Sequence, residues 1–293
     1  MKLNKENNAL DINGYTEIIT ANRNVFSFQF KEIWRYRDLI LLFVKRDMAS
    51  QYRQTILGPL WHILQPAVTT FIFLILFNRI AHIPTDNVPA VIFYMSGLTA
   101  WNYFSSCFTA TSATFITNAS VFGKVYFPRI ILPLSVVLSN MIRFAIQFCL
   151  LVIVICYYAI FQNFSISIGW HTLLIPVILL IMAGLGLGAG IIVSSITTKY
   201  RDVAVLINFG IQLLMFVTPV GYSLAYLRQH SSYANVISLN PLSSLIESFR
   251  YAMLGSGIFS VNLFLYSVIF TLLALIIGII IFNRVEKTFM DTV

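Results

Sequence analysis

Charged residues are scarce in this 293-residue chain, and that scarcity excludes most kinds of protein. They make up 10% of the residues, whereas hydrophobic residues make up 58% and the mean hydropathy is +0.81. A soluble domain has about 25% charged residues, so this chain could not cover a water-facing surface. A soluble enzyme and a disordered chain are therefore excluded. The composition predicts a polytopic membrane protein with roughly six or seven crossings.

Cysteine and clustered metal ligands are also in short supply. Cys107, Cys149 and Cys156 lie in apolar runs without a C-x-x-C pair, which argues against a disulfide or a zinc site. The four histidines are scattered, so no metal site is predicted. The polar N-terminal region lacks the short apolar core of an export signal. The net charge is +8. In a membrane protein the positions of Lys and Arg along the chain report its orientation, so no nucleic-acid partner is predicted.

Six apolar stretches are predicted to cross the membrane as helices. They are residues 60–80, 89–116, 130–161, 170–197, 203–224 and 261–282. The third is about 48 Å long against a hydrocarbon core of about 30 Å, so it tilts or projects into the cytoplasm. The predicted fold is an all-α, six-span domain over residues 60–282.

A short amphipathic helix is predicted in the segment 30–59, before the first span. Apolar residues recur there at helical spacing with charges between them, and the uncharged run 39–44 is too short to cross. We expect this helix to lie at the membrane surface. The alternative is a helix that packs on another cytoplasmic part of the protein.

A second short helix is predicted in the outer segment 225–260. Asn240 is suited to cap it, Pro241 to its first turn and Gly255 to its end. Its length of about 21 Å is too short to cross, which predicts a re-entrant or interfacial helix. Glu247 and Arg250 lie three residues apart on it and could pair, in the simplest interpretation as a surface ion pair worth less than about 1 kcal/mol.

The distribution of Lys and Arg predicts the orientation. Fifteen of them lie in four segments on one side, residues 1–59, 117–129, 198–202 and 283–293, and three lie in the opposite loops. Positive charge accumulates on the cytoplasmic side, so the tail 1–29 and the C-terminus 283–293 are both predicted to be cytoplasmic. The remaining cation, Arg143, falls inside the third span, where a structural role and a role in lining a path are both open.

Several kinds of chemistry have no residues to support them. The predicted spans contain no Asp or Glu, which disfavours a proton-coupled carrier. There is no G-x-x-x-x-G-K-[ST] phosphate loop, so ATP hydrolysis is not expected in this chain. The glycine-rich run 184–190 lies inside an apolar span, and its two G-x-x-x-G spacings predict close helix packing rather than nucleotide binding. A pore or scaffold powered by another protein remains.

Three motifs resemble the permease subunits of type 2 ABC transporters, in the branch that exports polysaccharides and polyol phosphates, including O-antigen, capsule and teichoic acid. The resemblance covers about residues 30–290. Its motifs are an entry stretch, Tyr36-Arg37-Asp38-Leu39 through Leu57-Gly58-Pro59-Leu60-Trp61; a cytoplasmic loop, Asn118 with Gly123-Lys124-Val125-Tyr126-Phe127-Pro128-Arg129; and a late stretch, Asn240-Pro241 with Glu247 and Arg250.

The resemblance implies a homodimer of permeases in the bacterial cytoplasmic (inner) membrane, associated with two ATPase subunits. It implies that the ATPase subunits bind ATP and Mg and that this chain itself binds no cofactor. It makes the loop 117–129 an ATPase-coupling segment, with Asn118, Phe122, Gly123, Lys124, Val125, Tyr126, Phe127, Pro128 and Arg129 as coupling residues. It makes residues 30–55 a gate helix and assigns Asn240, Pro241, Glu247 and Arg250 to an outer gate.

The implied substrate is a glycan on a lipid pyrophosphate, which needs cations for its head group and a smooth path for its sugars. Candidate head-group residues are Arg35, Arg37, Lys45, Arg46 and Arg53, with unspecific attraction of anionic lipid as the alternative. Candidate channel-lining aromatics are Trp61, Phe71, Tyr94, Trp101, Tyr103, Phe104, Phe209, Phe216 and Tyr222, with interfacial anchoring as the alternative. Two other functions remain open: a permease for small molecules or drugs, and a membrane enzyme acting on lipid-linked sugars.

Overall fold

The computed structural model describes residues 30–53, 55–118, 127–164, 169–197 and 202–289. Every regular element within these ranges is a helix, which confirms the predicted all-α fold. The helices are α1 (Phe30–Arg35), α2 (Arg37–Tyr52), α3 (Trp61–Phe73), α4 (Ala90–Ser112), α5 (Thr114–Thr117), α6 (Ile131–Phe161), α7 (Leu174–Thr197), α8 (Asp202–Val217), α9 (Leu224–His230), α10 (Ala234–Ser238), α11 (Pro241–Leu254) and α12 (Val261–Phe289). A 3₁₀ turn at Gly58–Leu60 precedes α3, a π-helical turn at Leu74–Ile80 extends it, and a 3₁₀ turn at Trp170–Leu173 precedes α7.

Within the described residues, four helical segments are both long enough and apolar enough to cross a membrane. They are Gly58–Ile80, Ile131–Phe161, Trp170–Thr197 and Val261–Arg284. α4 has 23 residues, about 34 Å, and is also long enough, although its Ser and Thr side chains make it less apolar. α8 has 16 residues, about 24 Å, and is shorter than a hydrocarbon core of about 30 Å. The multi-pass architecture is confirmed, and six crossings stay a prediction.

The fifth predicted span, 203–224, extends too far. α8 ends at Val217, and residues 218–223 form a turn before α9 begins. Pro219 accounts for this end, because it has no N–H to continue the helix and disfavours a helical residue before it. Ser223 then caps α9, and its hydroxyl accepts a hydrogen bond from the Tyr226 amide at 3.1 Å.

α4 lies at the centre of the bundle, in contact with α3, α6, α7 and α11. Several of the polar side chains along it are buried, and hydroxyls among them donate to carbonyls of the preceding turn. The Ser96 hydroxyl donates to Phe93 O at 2.9 Å, and the Thr99 hydroxyl donates to Met95 O at 2.8 Å. A polar helix can therefore fill the core of this protein without leaving these hydroxyls unsatisfied.

The glycines of α7 allow two neighbouring helices to approach it closely. Gly186 and Gly190 face α4, where an added Cβ would lie 2.8 Å from Cys107 Cβ and 2.6 Å from Thr111 Cβ, respectively. Gly188 faces α12, where an added Cβ would lie 2.8 Å from the backbone of Ala274. The predicted packing role of the run 184–190 is confirmed.

α2 packs against the end of the bundle that carries the predicted coupling loop. Phe43 and Val44 are buried in an apolar cluster with Phe127 from the far flank of that loop. Leu41 and Leu42 are exposed on another face. The alternative of packing on the protein is confirmed for the buried face, and the interfacial placement of the exposed face stays a prediction.

Candidate functional site

The flanks of the predicted coupling loop are firmly anchored in the bundle. Phe122, Gly123, Lys124, Val125 and Tyr126 lie outside the described residues. Asn118, Phe127, Pro128 and Arg129 are described and buried. The Asn118 amide nitrogen donates to Thr114 O at 3.1 Å, which fixes the direction in which the chain leaves α5.

A polar contact and an aromatic contact join α2 to these flanks. The guanidinium of Arg46 donates to Asn118 Oδ1 at 3.0 Å and lies 4.8 Å from the ring centroid of Phe43. The Phe43 and Phe127 rings are 5.7 Å apart. A movement of the loop would therefore be transmitted to α2, the helix that the resemblance assigns to a gate.

The five predicted head-group cations lie on α1, on α2 and just beyond α2. Arg35, Arg37, Lys45, Arg46 and Arg53 are all exposed. Arg46 differs from Lys45 and Arg53 in having intramolecular partners, because it also donates to Asp47 Oδ1 at 2.9 Å. It is therefore less available to a ligand than the sequence suggested.

A cavity of about 260 Å³, most of whose lining residues are of polar or charged type, lies between α2, α4, α5 and α6. Arg143 reaches it from α6, and its guanidinium donates to Asn140 Oδ1 at 2.8 Å. Arg46 and Asn118 line its other side. Arg143 thus faces other polar side chains of the protein across this cavity. Asn140 is a site residue that the sequence analysis missed, although its position one helical turn before Arg143 was a visible signal.

The predicted surface pair of Glu247 and Arg250 is instead a buried ion pair. Arg250 Nη1 lies 3.3 Å from Glu247 Oε1, and both side chains are 1% exposed. The prediction was wrong because spacing on one helix reports proximity, whereas burial depends on how α4, α7 and α12 surround α11. The predicted caps are confirmed: the Asn240 side chain accepts from the Leu242 amide at 3.1 Å, and Gly255 ends the helix with φ 67°.

The buried pair fastens α11 to the turn between α8 and α9. Arg250 donates to the carbonyl oxygens of Pro219 at 2.8 Å and Tyr222 at 3.2 Å, and also to that of Val220. Glu247 Oε1 accepts from the Leu224 amide at 2.9 Å. Burial raises the pKa of the Glu247 carboxyl, while the neighbouring Arg250 acts to lower it.

The predicted channel-lining aromatics fall into two groups. Tyr94, Trp101, Tyr103 and Phe104 are less than 5% exposed and pack with other aromatic rings inside the bundle. Trp61, Phe71, Phe209 and Phe216 are exposed, and Tyr222 is partly buried with its hydroxyl donating to Phe216 O at 3.0 Å. Within one copy of the chain the first group contributes to the core, so the lining hypothesis is kept for the second group.

Comparison with known proteins identifies relatives across most of the chain. The model of the family described as ABC-2 type transporter matches residues 38–254. The O-antigen export system permease protein RfbA of Myxococcus xanthus is 29% identical over 221 residues, 75% of this chain and 82% of that protein. The protein of the same name from Klebsiella pneumoniae is 27% identical over 255 residues, 87% of this chain and 94% of its own length. The polysialic acid transport protein KpsM of Escherichia coli is 24% identical over 256 residues, 84% of this chain and 93% of its own length.

Proposed function

This chain belongs to the ABC-2 type transporter family, and from that premise we propose that it is the membrane-spanning permease subunit of an exporter of a bacterial cell-surface polysaccharide. The main support is the similarity over 75% or more of the chain to proteins named for O-antigen export and polysialic acid transport. The order of long apolar helices fits a multi-pass permease. A substrate carried on a lipid pyrophosphate, such as O-antigen, is the specific cargo proposed.

The energy for export comes, in this proposal, from ATP and Mg bound by two copies of a separate ATPase. The segment 117–129 is the part of the chain proposed to seat in the ATPase. Its anchored flanks support this role, because a loop that transmits force needs rigid ends. The contacts Arg46–Asn118 and Phe43–Phe127 would carry its displacement to α2.

A second copy of the chain completes the proposed pathway. α8 has no buried residue, and Phe209 and Phe216 are exposed along it. Trp61 and Phe71 are exposed on α3. Aromatic faces contact many sugars without requiring one pattern of hydrogen bonds, which suits a sliding polymer. The exposed aromatics of two copies would line the path between them.

Substrate entry is proposed at the cytoplasmic membrane surface beside α2. The exposed cations Arg35, Arg37, Lys45 and Arg53 would attract a phosphate-bearing head group, since guanidinium groups bind phosphate oxygens well. At the other side of the membrane, α11 and the Glu247–Arg250 pair would form the outer gate. Both termini would face the cytoplasm.

Export in cells tests the coupling assignment. A strain lacking this chain would be complemented with the wild type or with the Phe122→Ala/Tyr126→Ala variant, and surface glycan would be quantified with a glycan-specific antibody. We expect export to fall at least tenfold while the variant still accumulates in the membrane. Tyr233→Ala, at an exposed aromatic after α9, is the control and should export normally.

Normal export by Phe122→Ala/Tyr126→Ala, together with normal co-purification of the ATPase, would remove the coupling role from 117–129. A chain that exports a small molecule but no glycan would favour the drug-permease alternative. Turnover of a lipid-linked sugar by the purified chain alone would favour the enzyme alternative.

A further inference from the structure

The polar cavity between α2, α4, α5 and α6 carries an excess of positive charge. Arg46, Asp47 and Arg143 are its charged lining residues, which gives two guanidinium groups against one carboxylate. Asp47 is already paired with Arg46 at 2.9 Å. Among the described residues, no carboxylate lies within ion-pair distance of Arg143, and Asp47 acts on it only at longer range. The charge of Arg143 therefore lacks a close counterion.

The same cavity has hydrogen-bond donors without acceptors. Asn140 is 1% exposed, and its amide nitrogen has no hydrogen-bond partner; the nearby thiol of Cys107 is only a weak acceptor. The Nε of Arg143 is buried and unpartnered as well. Leaving a buried donor unsatisfied costs about 1–3 kcal/mol, and more for a charged group. These two donors lie on neighbouring turns of α6. The Tyr52 hydroxyl and His62 Nε2, which lie within electrostatic reach of Arg143, are buried but bond to neither donor, so an acceptor in the cavity would satisfy both.

The position of Arg143 along α6 brings it near the membrane interface. α6 has 31 residues, about 46 Å, and exceeds the hydrocarbon core by about 16 Å. Arg143 lies twelve residues after Ile131, about 18 Å along the helix. If the surplus projects into the cytoplasm beside α2, Arg143 falls at the depth where lipid phosphates begin.

We propose that this cavity is a binding site for a phosphoryl group, held by Arg143 and Asn140 at its inner end. A phosphoryl group supplies both the missing negative charge and several acceptor oxygens. The cavity volume of about 260 Å³ is far above the roughly 10–15 Å³ that a cavity needs in order to hold one water, so it has room for a phosphoryl group. The inference rests on the proposed function only in placing the cavity at the cytoplasmic side, where the head group of a lipid-linked substrate would arrive.

Binding to the purified full-length chain tests the site without relying on export. Thermal unfolding would be followed by tryptophan fluorescence in an uncharged detergent, with dioctanoyl phosphatidic acid, sodium pyrophosphate or dioctanoylglycerol added. Since a ligand of the folded state raises its stability in proportion to RT ln(1 + [L]/Kd), titration gives an apparent Kd for each compound. We expect phosphatidic acid to bind and uncharged dioctanoylglycerol to produce no shift. A shift with pyrophosphate alone would show that a free phosphate suffices, and its absence would show that the phosphate must be carried on a lipid.

Variants connect this binding to the cavity. Arg143→Gln should weaken phosphatidic acid binding at least tenfold. Ser50→Glu, which puts a carboxylate on an exposed residue at the cavity mouth, should weaken it in the same direction and does not alter the core. Arg79→Gln removes one cation from an exposed position at the end of the first span and should change the Kd less than twofold.

Equal affinity in wild type, Arg143→Gln and Ser50→Glu would overturn the proposal, whatever the export assay shows. If Arg143→Gln fails to fold, the Ser50→Glu result decides. If the wild-type chain binds phosphatidic acid but does not restore glycan export to the deletion strain, the result counts against the proposed function and leaves the site in place.

Discussion

The guanidinium of Arg250 donates hydrogen bonds to the backbone carbonyls of a turn that makes few helical hydrogen bonds of its own. Residues 218–223 interrupt the helices, and the carbonyl oxygens of Pro219, Val220 and Tyr222 accept hydrogen bonds from Arg250. Non-helical backbone at membrane depth is tolerated only where protein or a water-filled cavity satisfies it. The face of the guanidinium rests on the Phe93 ring, 3.9 Å from its centroid. One side chain thereby satisfies the carbonyl oxygens of the break between α8 and α9.

Gly97 provides the space for this guanidinium, which makes Gly97→Ala a sensitive test. An added Cβ would clash with Arg250 Nη2 and would lie 2.8 Å from Val220 O. We expect the variant to lose about 1–3 kcal/mol of stability, as overpacked cores do. Thermal unfolding of the purified protein in detergent measures the loss.

Gly210→Ala is the matched control, because an added Cβ on Gly210 meets nothing within 4 Å. It should be neutral or slightly stabilising, since Ala favours a helix over Gly by about 0.5–1 kcal/mol. Equal effects of the two substitutions would show that Arg250 does not occupy the space beside Gly97.

Replacing Arg250 alone should destabilise the protein more than replacing both members of its ion pair. Arg250→Met leaves the Glu247 carboxylate buried without a counterion, which costs about 3–5 kcal/mol. Adding Glu247→Gln removes that uncompensated charge, so the double variant should regain part of the loss. A double-mutant cycle by thermal unfolding should give a coupling of about 0.5–3 kcal/mol.

Arg228→Met, at an exposed cation of α9, is the control for the loss of charge and should change stability by less than about 0.5 kcal/mol. Additive effects of Arg250→Met and Glu247→Gln would contradict the coupling inferred from their buried contact.

Among the helices, α7 is the element that brings three helices into close contact. Gly186 and Gly190 meet α4, whereas Gly184 and Gly188 meet α12. Small residues permit the close contact that drives helix association in lipid, where the hydrophobic effect does not distinguish protein from lipid tails. The two pairs lie on different sides of α7, so α7 joins α4 to α12.

The two glycines that face α12 should differ in their tolerance of alanine. An added Cβ on Gly188 would lie 2.8 Å from backbone atoms of Ala274 and Leu275, so the helices must separate. An added Cβ on Gly184 would lie 3.1 Å from a methyl group of Thr271, and a side chain yields more easily than backbone. We expect Gly188→Ala to cost about 1–3 kcal/mol and Gly184→Ala less, as measured by thermal unfolding. The reverse order would mean that α7 and α12 are not held at this distance.

The sequence predicted the positions of the helices better than the burial and the long-range contacts of their side chains. The caps Asn240 and Gly255 were predicted correctly because capping depends on residues within one turn of the helix. The end of α8 at Val217 was missed, although Pro219 signals it locally. The burial of Glu247 and Arg250, and the approach of Arg46 to Asn118, depend on residues about 30 to 70 positions away, which no local pattern reports.

For the whole molecule, the number of crossings depends on α8. Its length of about 24 Å is less than the roughly 30 Å of hydrocarbon, yet its side chains are apolar and none is buried. The turn 218–223, with its carbonyl oxygens satisfied by Arg250, supplies a polar backbone that can lie below the outer surface. A short helix and a satisfied turn can together span the membrane, so we predict that α8 is a full crossing.

Cysteine labelling in intact cells tests this prediction. In a background with Ala at Cys107, Cys149 and Cys156, single cysteines would replace His82, Ser232, Thr55 or Arg284. With six crossings and cytoplasmic termini, a membrane-impermeant maleimide should label the His82→Cys and Ser232→Cys variants from outside. The Thr55→Cys and Arg284→Cys variants should react only after permeabilisation.

If α8 does not cross, α12 runs in the opposite direction, so Ser232→Cys becomes protected and Arg284→Cys becomes reactive from outside. The pair Ser232 and Arg284 therefore separates six crossings from five, while His82 and Thr55 report the orientation of the first span in both cases.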